Sequence, residues 1–268
     1  MTVVAESLDA GLVRLAAIPR LLVAVDFDGT IAPIVDRPWL VVPDAGAVGA
    51  MTALAALADT TVAVVSARSL ADLTRHLGPV PGVLLYGSYG AETHDGAVGL
   101  SEAEARRVAQ LAVAFERLAI EHERAWVESK SLGVAFHARG VPEADQLLAR
   151  AAYAASEVLD VHVVRGDMVV EAVVRPVSKA GAVDALARRV TADAIVYAGD
   201  DRADEEVFAA LGAGDLGVHV GRGPTAASRT LPDPAAVGGL LARLAQLRAA
   251  RTAVPPNPRA REDLHHAR

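Results

Sequence analysis

Residues 21–30 read Leu-Leu-Val-Ala-Val-Asp-Phe-Asp-Gly-Thr. Five apolar residues in succession are too short a run for a helix and read as a buried strand. The strand ends in Asp26 and Asp28; Gly29 breaks the ladder and Thr30 opens the next element. Two carboxylates at i and i+2 on extended backbone point the same way, out of the strand's carboxyl end. That is where open α/β sheets hold their ligands. Two negative charges brought together need a cation between them or a retained proton. A plain acidic turn is the alternative reading. It accounts for one Asp after a buried strand better than for Asp-x-Asp-Gly-Thr.

This stretch resembles the phosphatases of the haloacid dehalogenase superfamily. The resemblance implies that Asp26 is a nucleophile attacking phosphorus, and that Asp28 is the acid/base that protonates the leaving sugar oxygen and then activates water. The chemistry suits two carboxyl groups. A carboxylate nucleophile splits one hard hydrolysis into two displacements, and a second carboxyl group can serve both by changing protonation state between them.

Composition narrows the partners. The net charge of −7 over 268 residues, with no basic run, argues against nucleic-acid binding as a main role. An anionic substrate must therefore be held by locally placed cations and a metal. Hydrophobic content is 52% and aromatic content only 4%, so the core is built from Ala, Val and Leu. With zero cysteines, disulfides, thiolate catalysis and cysteine metal sites are excluded together. No run of 18 apolar residues predicts a membrane span, and the acidic start, with Glu6 and Asp9, does not read as a signal peptide. A cytoplasmic, monomeric protein is the expectation.

Along the chain, residues 5–17 have apolar positions at helical spacing. The segment 31–44 carries three prolines and reads as a loop, in which Trp39 packs or faces a sugar. An Ala/Leu-rich helix is expected over 45–58. Thr61-Val-Ala-Val-Val-Ser66 repeats the opening pattern and delivers a hydroxyl at its carboxyl end. Ser66-Ala67-Arg68-Ser69 leads into a helix through about His76, and a hydroxyl with backbone N–H groups at a helix start makes an anion site. Ser66 is equally an ordinary N-cap. Val83–Tyr86 is a third strand, closed by the glycine-bracketed turn Gly87-Ser-Tyr-Gly90.

From about residue 101 the pattern changes to helix-strand-strand, twice: a helix over 101–122, runs at 125–128 and 133–137, a helix over 142–159, and runs at 161–164 and 168–174. That is a compact α+β unit. Sugar hydroxyls are read by charged groups that donate and accept directionally; Glu128, Lys130 and Glu171 fit, although alternating charges can also line a sheet's solvent face. After Pro176 the alternating pattern returns. Lys179 opens a helix against the dipole, which is odd for a surface residue. The strand Ala194–Ala198 delivers Gly199-Asp200-Asp201-Arg-Ala-Asp204-Glu-Glu206. Clustered carboxylates without His or Cys point to Mg²⁺; an acidic helix start explains Glu205 and Glu206 but not Gly-Asp-Asp. Residues 216–223 read as a final edge strand and loop, 234–250 as a helix, and 251–268 as a disordered tail containing His265 and His266.

The motifs within this frame are similar to those of trehalose-phosphatases. Glu128-Ser-Lys130, the strand ending His137-Ala-Arg139, and Gly166…Glu171…Arg175-Pro176 match that family's patterns. Ala67 stands where it usually has Gly, and Tyr89 where it usually has His. One extra residue precedes Arg175, which predicts a bulge or register shift. The resemblance implies an α/β fold, a doubly wound parallel-sheet core (1–100 and 177–250), with an inserted α+β cap (101–176) that closes over the site. It implies a catalytic set of Asp26, Asp28, Thr30, Ser66 and Lys179. It implies Mg²⁺ held by Asp26, the Asp28 carbonyl and Asp200, with Asp201 and Asp204 as direct or water-mediated support. The substrate residues would be Arg68, Glu128, Lys130, His137, Arg139 and Glu171, and the substrate a sugar phosphate, trehalose 6-phosphate. Another disaccharide or glycoside phosphate is the alternative, as is a catalytically idle sugar-phosphate binder.

Overall fold

The structure is a computed structural model that describes residues 7–93, 96–97, 99–166 and 168–252. The tail expected over 251–268 therefore lies outside the described residues beyond Thr252, and with it His265 and His266. The chain forms two compact units. One takes the chain up to Val64, His76–Leu84 and the part from Val183; the other takes Val65–Arg75 and Leu85–Ala182.

The first unit is built on β1 (Leu21–Val25) and β2 (Thr60–Val65) and includes α1 (Leu8–Ala16) and α2 (Ala45–Ala55). Every residue of β1 is buried, as a continuous apolar run requires of a strand covered on both faces. After α3 (Leu70–Leu77) come β3 (Val83–Gly87) and two short strands, β4 (Glu92–Thr93) and β5 (Gly96–Ala97). The second unit follows with α4 (Glu102–Ala119), β6 (Trp126–Lys130), β7 (Gly133–His137), α5 (Ala144–Ser156), β8 (His162–Gly166) and β9 (Val169–Val173). The chain ends with α6 (Lys179–Arg189), β10 (Ala194–Gly199), α7 (Arg202–Ala210), β11 (Leu216–Val220), β12 (Arg229–Leu231) and α8 (Pro234–Thr252).

The larger sheet has the order β12-β11-β10-β1-β2-β3-β4-β5. β12, β11, β10, β1 and β2 are joined by parallel pairings, and β3, β4 and β5 by antiparallel ones. This is the expected α/β parallel-sheet core. Residues 216–220 are not its edge, however, because β12 pairs beyond them. Three residues of mixed polarity carry too little period to announce a strand. β1 stands between β10 and β2, with Val25 level with both Ala198 and Val64. The carboxyl ends of these three strands thus leave the sheet together. Trp39, in a short 3₁₀ turn of the proline-rich loop, is exposed.

A second, four-stranded antiparallel sheet runs β6-β7-β9-β8. Its alternate residues divide cleanly. Val134, Phe136, Val170 and Ala172 join Leu111 and Phe115 of α4 and Leu147 and Ala151 of α5 in one buried cluster. Phe115 meets Phe136 edge-to-face at 5.6 Å, the geometry ring quadrupoles favour. The opposite parity, starting Trp126, Glu128, Lys130 on β6, belongs to the other face. Among the described residues no helix is long and apolar enough to cross a membrane.

Candidate active site

The acids at the carboxyl ends of β1 and β10 are held by the ladder itself. The Asp26 N–H donates to the Ala198 carbonyl at 2.9 Å, so pairing continues one residue past β1 and fixes Asp26 beside Gly199-Asp200. One carboxylate oxygen each from Asp26, Asp200 and Asp204 lies within 4.8 Å of the others. Asp26 and Asp204 are buried, and Asp200 is half-buried. Burial raises the cost of leaving like charges together without a cation.

Two glycines make the cluster possible. Gly29 sits at φ +72°, and a Cβ on it would fall inside the Asp200 carboxylate; a Cβ on Gly199 would meet the Asp204 carboxylate. The Phe27 carbonyl accepts the N–H groups of Thr30, Ile31 and Ala32, which curls the chain after Asp26. The Thr30 hydroxyl, fully buried, then reaches Asp200 Oδ1 at 3.4 Å. Asp28 lies half-buried on the same curl, bridged to Ala32.

The acids after β10 divide their work. Asp201 is exposed and caps α7, accepting from the N–H groups of Ala203 (2.9 Å) and Asp204 (3.1 Å). Asp204 organises the loop: its Oδ2 accepts from the N–H groups of Asp200 and Asp201, both at 3.0 Å. Its Oδ1 accepts from the Tyr197 hydroxyl at 2.5 Å. Burial, reinforced by the charges of Asp204 and Asp26, pushes the Tyr197 phenol well above its ordinary value of 10.0, so it stays a donor. An all-oxygen donor set of this kind fits Mg²⁺.

In the second unit Ser66, 1% exposed, donates its N–H to the Tyr86 carbonyl at 2.9 Å. Its hydroxyl accepts the Arg68 N–H at 3.2 Å. The α-helix begins only at Leu70, where Ser69 accepts from the Asp72 N–H. Ser69 therefore takes the capping role the sequence offered to Ser66. Arg68 pairs with Asp72, which also takes Arg75. Lys179, 1% exposed, opens α6, and Ser178 accepts the Gly181 N–H there. The lysine whose place in the sequence was odd for a surface is not on the surface.

On the sheet face away from α4 and α5, Glu128, Ala135 and Glu171 lie in one register row. Lys130 Nζ donates to Glu171 Oε1 at 2.7 Å and to the Ala67 carbonyl at 3.1 Å. His137 Nε2 and Glu128 Oε2 lie 3.0 Å apart. Burial works against ionisation of Glu128, but the His137 hydrogen bond and the Lys130 charge outweigh it and hold the carboxyl below its ordinary 4.5. Arg139 is exposed, past the end of β7.

Three side chains gave no signal in the sequence reading. Tyr197 looked like one more member of an apolar strand, although a Tyr two residues before Gly-Asp-Asp was the available hint. Trp126 lies flat against His137, ring centroids 3.8 Å apart and planes within 5°. Arg248, 5% exposed in α8, donates to the carbonyls of Ile18 (2.8 Å), Pro19 (3.2 Å) and Asp59 (3.1 Å) and to the Thr60 hydroxyl (2.9 Å).

Residues 24–232 match the family model described as trehalose-phosphatase. The chain belongs to the trehalose-phosphatase family. It is 34% identical over 251 residues to a trehalose-phosphate phosphatase of Mycobacterium marinum, covering 85% of this chain and 62% of that protein. It therefore spans about three-fifths of that relative's length. It is 30% identical over 213 residues to the trehalose-6-phosphate phosphatase of Escherichia coli, covering 76% of this chain and 78% of the relative. Its fold is similar to that of the Candida albicans trehalose-6-phosphate phosphatase C-terminal domain, with TM-score 0.74 and 20% identity over 90% of this chain and 97% of that one.

Against the pattern of the trehalose-phosphatase family, the departures have physical readings. Ser88, Tyr89 and Gly90 all have positive φ (48°, 56° and 95°), a conformation costing a non-glycine residue about 1–2 kcal/mol. The turn is pinned: Ser88 and Tyr89 donate their N–H groups to the carbonyls of Arg68 (2.7 Å) and Ser66 (2.9 Å). Glu92 joins both sides, accepting from the Ser88 hydroxyl and the Leu70 N–H, each at 2.7 Å. The Tyr89 ring centroid lies 5.9 Å from Lys130 Nζ. The bulge expected before Arg175 is absent, since β9 keeps unbroken register with β7 and β8 through Val173. Arg175 lies past the end of the strand and pairs with Glu104 at 2.6 Å.

Proposed function

We propose that the chain is a Mg²⁺-dependent phosphatase that hydrolyses trehalose 6-phosphate to trehalose and phosphate, through an aspartyl-phosphate on Asp26. The observation that carries this reading is the close grouping of Asp26, Asp200 and Asp204 carboxylates at the ends of β1 and β10, in a chain of the trehalose-phosphatase family. Asp26, the Asp28 carbonyl and Asp200 would hold the metal, with Asp204 orienting the loop and Asp201 fixing the helix behind it. A bound Mg²⁺ supplies positive charge to the nucleophile and to the phosphoryl oxygens.

In the first step an Asp26 carboxylate oxygen attacks phosphorus and the bond from phosphorus to the sugar oxygen breaks. Asp28, protonated, gives its proton to that oxygen. In the second step Asp28, now a carboxylate, takes a proton from water as the water oxygen attacks phosphorus, and the bond to Asp26 breaks. Phosphate leaves and Asp28 is again protonated. Thr30 holds the curl that carries both acids. Ser66 donates its hydroxyl proton to a phosphoryl oxygen, and Lys179 offsets the charge that builds there. Residues 101–176 act as the cap, with Glu128, Lys130, His137 and Glu171 reading sugar hydroxyls and Arg68 and Arg139 adding cations nearby.

The test is phosphate release from a panel of sugar phosphates, with Mg²⁺ and with a chelator, using Asp26→Asn as control. Selective, Mg²⁺-dependent hydrolysis of trehalose 6-phosphate that vanishes in the control is expected. Activity confined to another sugar phosphate would discard the substrate and keep the chemistry. No turnover by the folded protein would overturn the reading in favour of a sugar-phosphate binder.

A further inference from the structure

Along β6, every second residue faces the same side: Trp126, Glu128 and Lys130. The two acid-base pairs on this face are spoken for, Lys130 with Glu171 and Glu128 with His137. Trp126 is not an acid, a base or a core residue. It is 46% exposed, whereas Val127 of the same strand packs against the buried cluster under α4 and α5. Its ring presents apolar surface to solvent on the same face of β6 as Glu128 and Lys130.

Its posture is fixed. Trp126 and His137 are directly opposed across the β6–β7 pair, and their rings are parallel at 3.8 Å. His137 is in turn held by Glu128 at 3.0 Å. One indole face is therefore closed by imidazole, and the exposure falls on the other face and the ring edge. A rigid, flat, half-wet aromatic surface beside directional hydrogen-bonding groups is the composition of a site for a ring with apolar and hydroxylated sides.

Its distance along the strand is informative. Lys130 reaches the Ala67 carbonyl, next to Ser66, so that end of β6 belongs to the segment assigned to the phosphoryl group. Four residues of strand, about 13 Å, separate Lys130 from Trp126. That exceeds one pyranose ring.

We propose that Trp126 is a stacking platform for the glycosyl unit farther from the phosphate, and so a specificity-determining residue for disaccharide over monosaccharide phosphates. This rests on the sugar-phosphate phosphatase reading above for its substrate, but its test does not depend on turnover alone.

Kinetics on trehalose 6-phosphate and glucose 6-phosphate should show that Trp126→Ala lowers kcat/KM for the disaccharide about 3–10-fold, mostly through KM. The monosaccharide should be barely affected, and Trp126→Phe should recover most of the loss. Equal losses on both substrates, or none, would overturn the platform. Separately, in a Trp39→Phe background Trp126 is the sole tryptophan. Titration with trehalose, the product, should shift its emission saturably, and glucose should do so far more weakly. An emission insensitive to trehalose would overturn the proposal even in an active enzyme. A trehalose-specific shift in an enzyme that leaves trehalose 6-phosphate intact would uphold the platform while the proposed reaction failed.

Discussion

Tyr197 donates its phenolic hydrogen to Asp204 across 2.5 Å inside the core. The contact matters because Asp204 then presents its second oxygen to two consecutive backbone N–H groups, those of Asp200 and Asp201. A buried tyrosine thus holds a carboxylate, and the carboxylate holds the loop that aims Asp200. Removing the hydroxyl as Tyr197→Phe leaves a buried carboxylate oxygen short of a donor, which should cost about 1–3 kcal/mol of stability. It should also raise the Mg²⁺ concentration for half-maximal phosphate release about 10-fold, as loss of groups that orient metal ligands does. Mg²⁺ titration of turnover beside urea unfolding reads both; an unchanged Mg²⁺ requirement would show that Asp204 holds the loop without help.

Arg248 supports the same sheet from the opposite direction. Its guanidinium ties the exit of α1 to the entry of β2 through the carbonyls of Ile18, Pro19 and Asp59. Burial pushes its pKa below the usual arginine value, and five N–H donors still serve a cluster of acceptors that no neutral chain could. Replacement by Met keeps the apolar stem and removes the donors. The urea midpoint should fall by the equivalent of about 3 kcal/mol, with KM for the phosphate ester unchanged. A midpoint close to that of the parent would mean that water replaces the guanidinium.

The ion pair of Glu104 with Arg175 should make stability depend on pH at the acid end. Hydrogen bonding from Arg175 first, then from the side chain and backbone of Ser101, holds the Glu104 carboxyl far below its ordinary 4.5. In the unfolded chain the group titrates near that ordinary value, so below it the unfolded state binds the extra proton. The stabilisation is then fully present above pH 4.5 and is lost as pH falls toward the folded-state value. Urea unfolding of parent and Glu104→Gln between pH 7 and pH 3 should show a stability gap that narrows on acidification below about 4.5. A gap constant across that range would dissociate the pair from the pH dependence.

How much of this was legible depends on the scale of the signal. β1, β2 and β10 are apolar runs ending in polar residues, and both the strands and the polar side chains they deliver could be read directly. β12, β4 and β5 could not, since two or three residues carry no period. The start of α3 was blurred because Ser66 and Ser69 are both competent caps, and only the backbone decides between them. Arg175 was ambiguous for another reason: the run of valines before it reads the same whether the ladder ends at Val173 or carries on past it. Trp126 and Arg248 were silent altogether. One acquires its meaning from strand register against His137, the other from carbonyls more than 180 residues away along the chain.

Gly29 offers the sharpest separation of fold from chemistry. Gly29 (φ +72°) and Gly78 (φ +63°) both take the left-handed backbone, but their surroundings differ. A Cβ on Gly78 meets nothing within 4 Å, whereas one on Gly29 lands inside the Asp200 carboxylate. Alanine at either site should cost about 1–2 kcal/mol from the backbone alone. Only Gly29→Ala must also drive Asp200 away from Thr30 and Asp26, so only that variant should lose Mg²⁺-dependent turnover, by at least about 100-fold if Asp200 holds the metal. Thermal unfolding and phosphate release measured on the two variants side by side give the comparison. Equal turnover in both would remove Asp200 from the site, because the displacement a methyl group forces there would then have no chemical consequence.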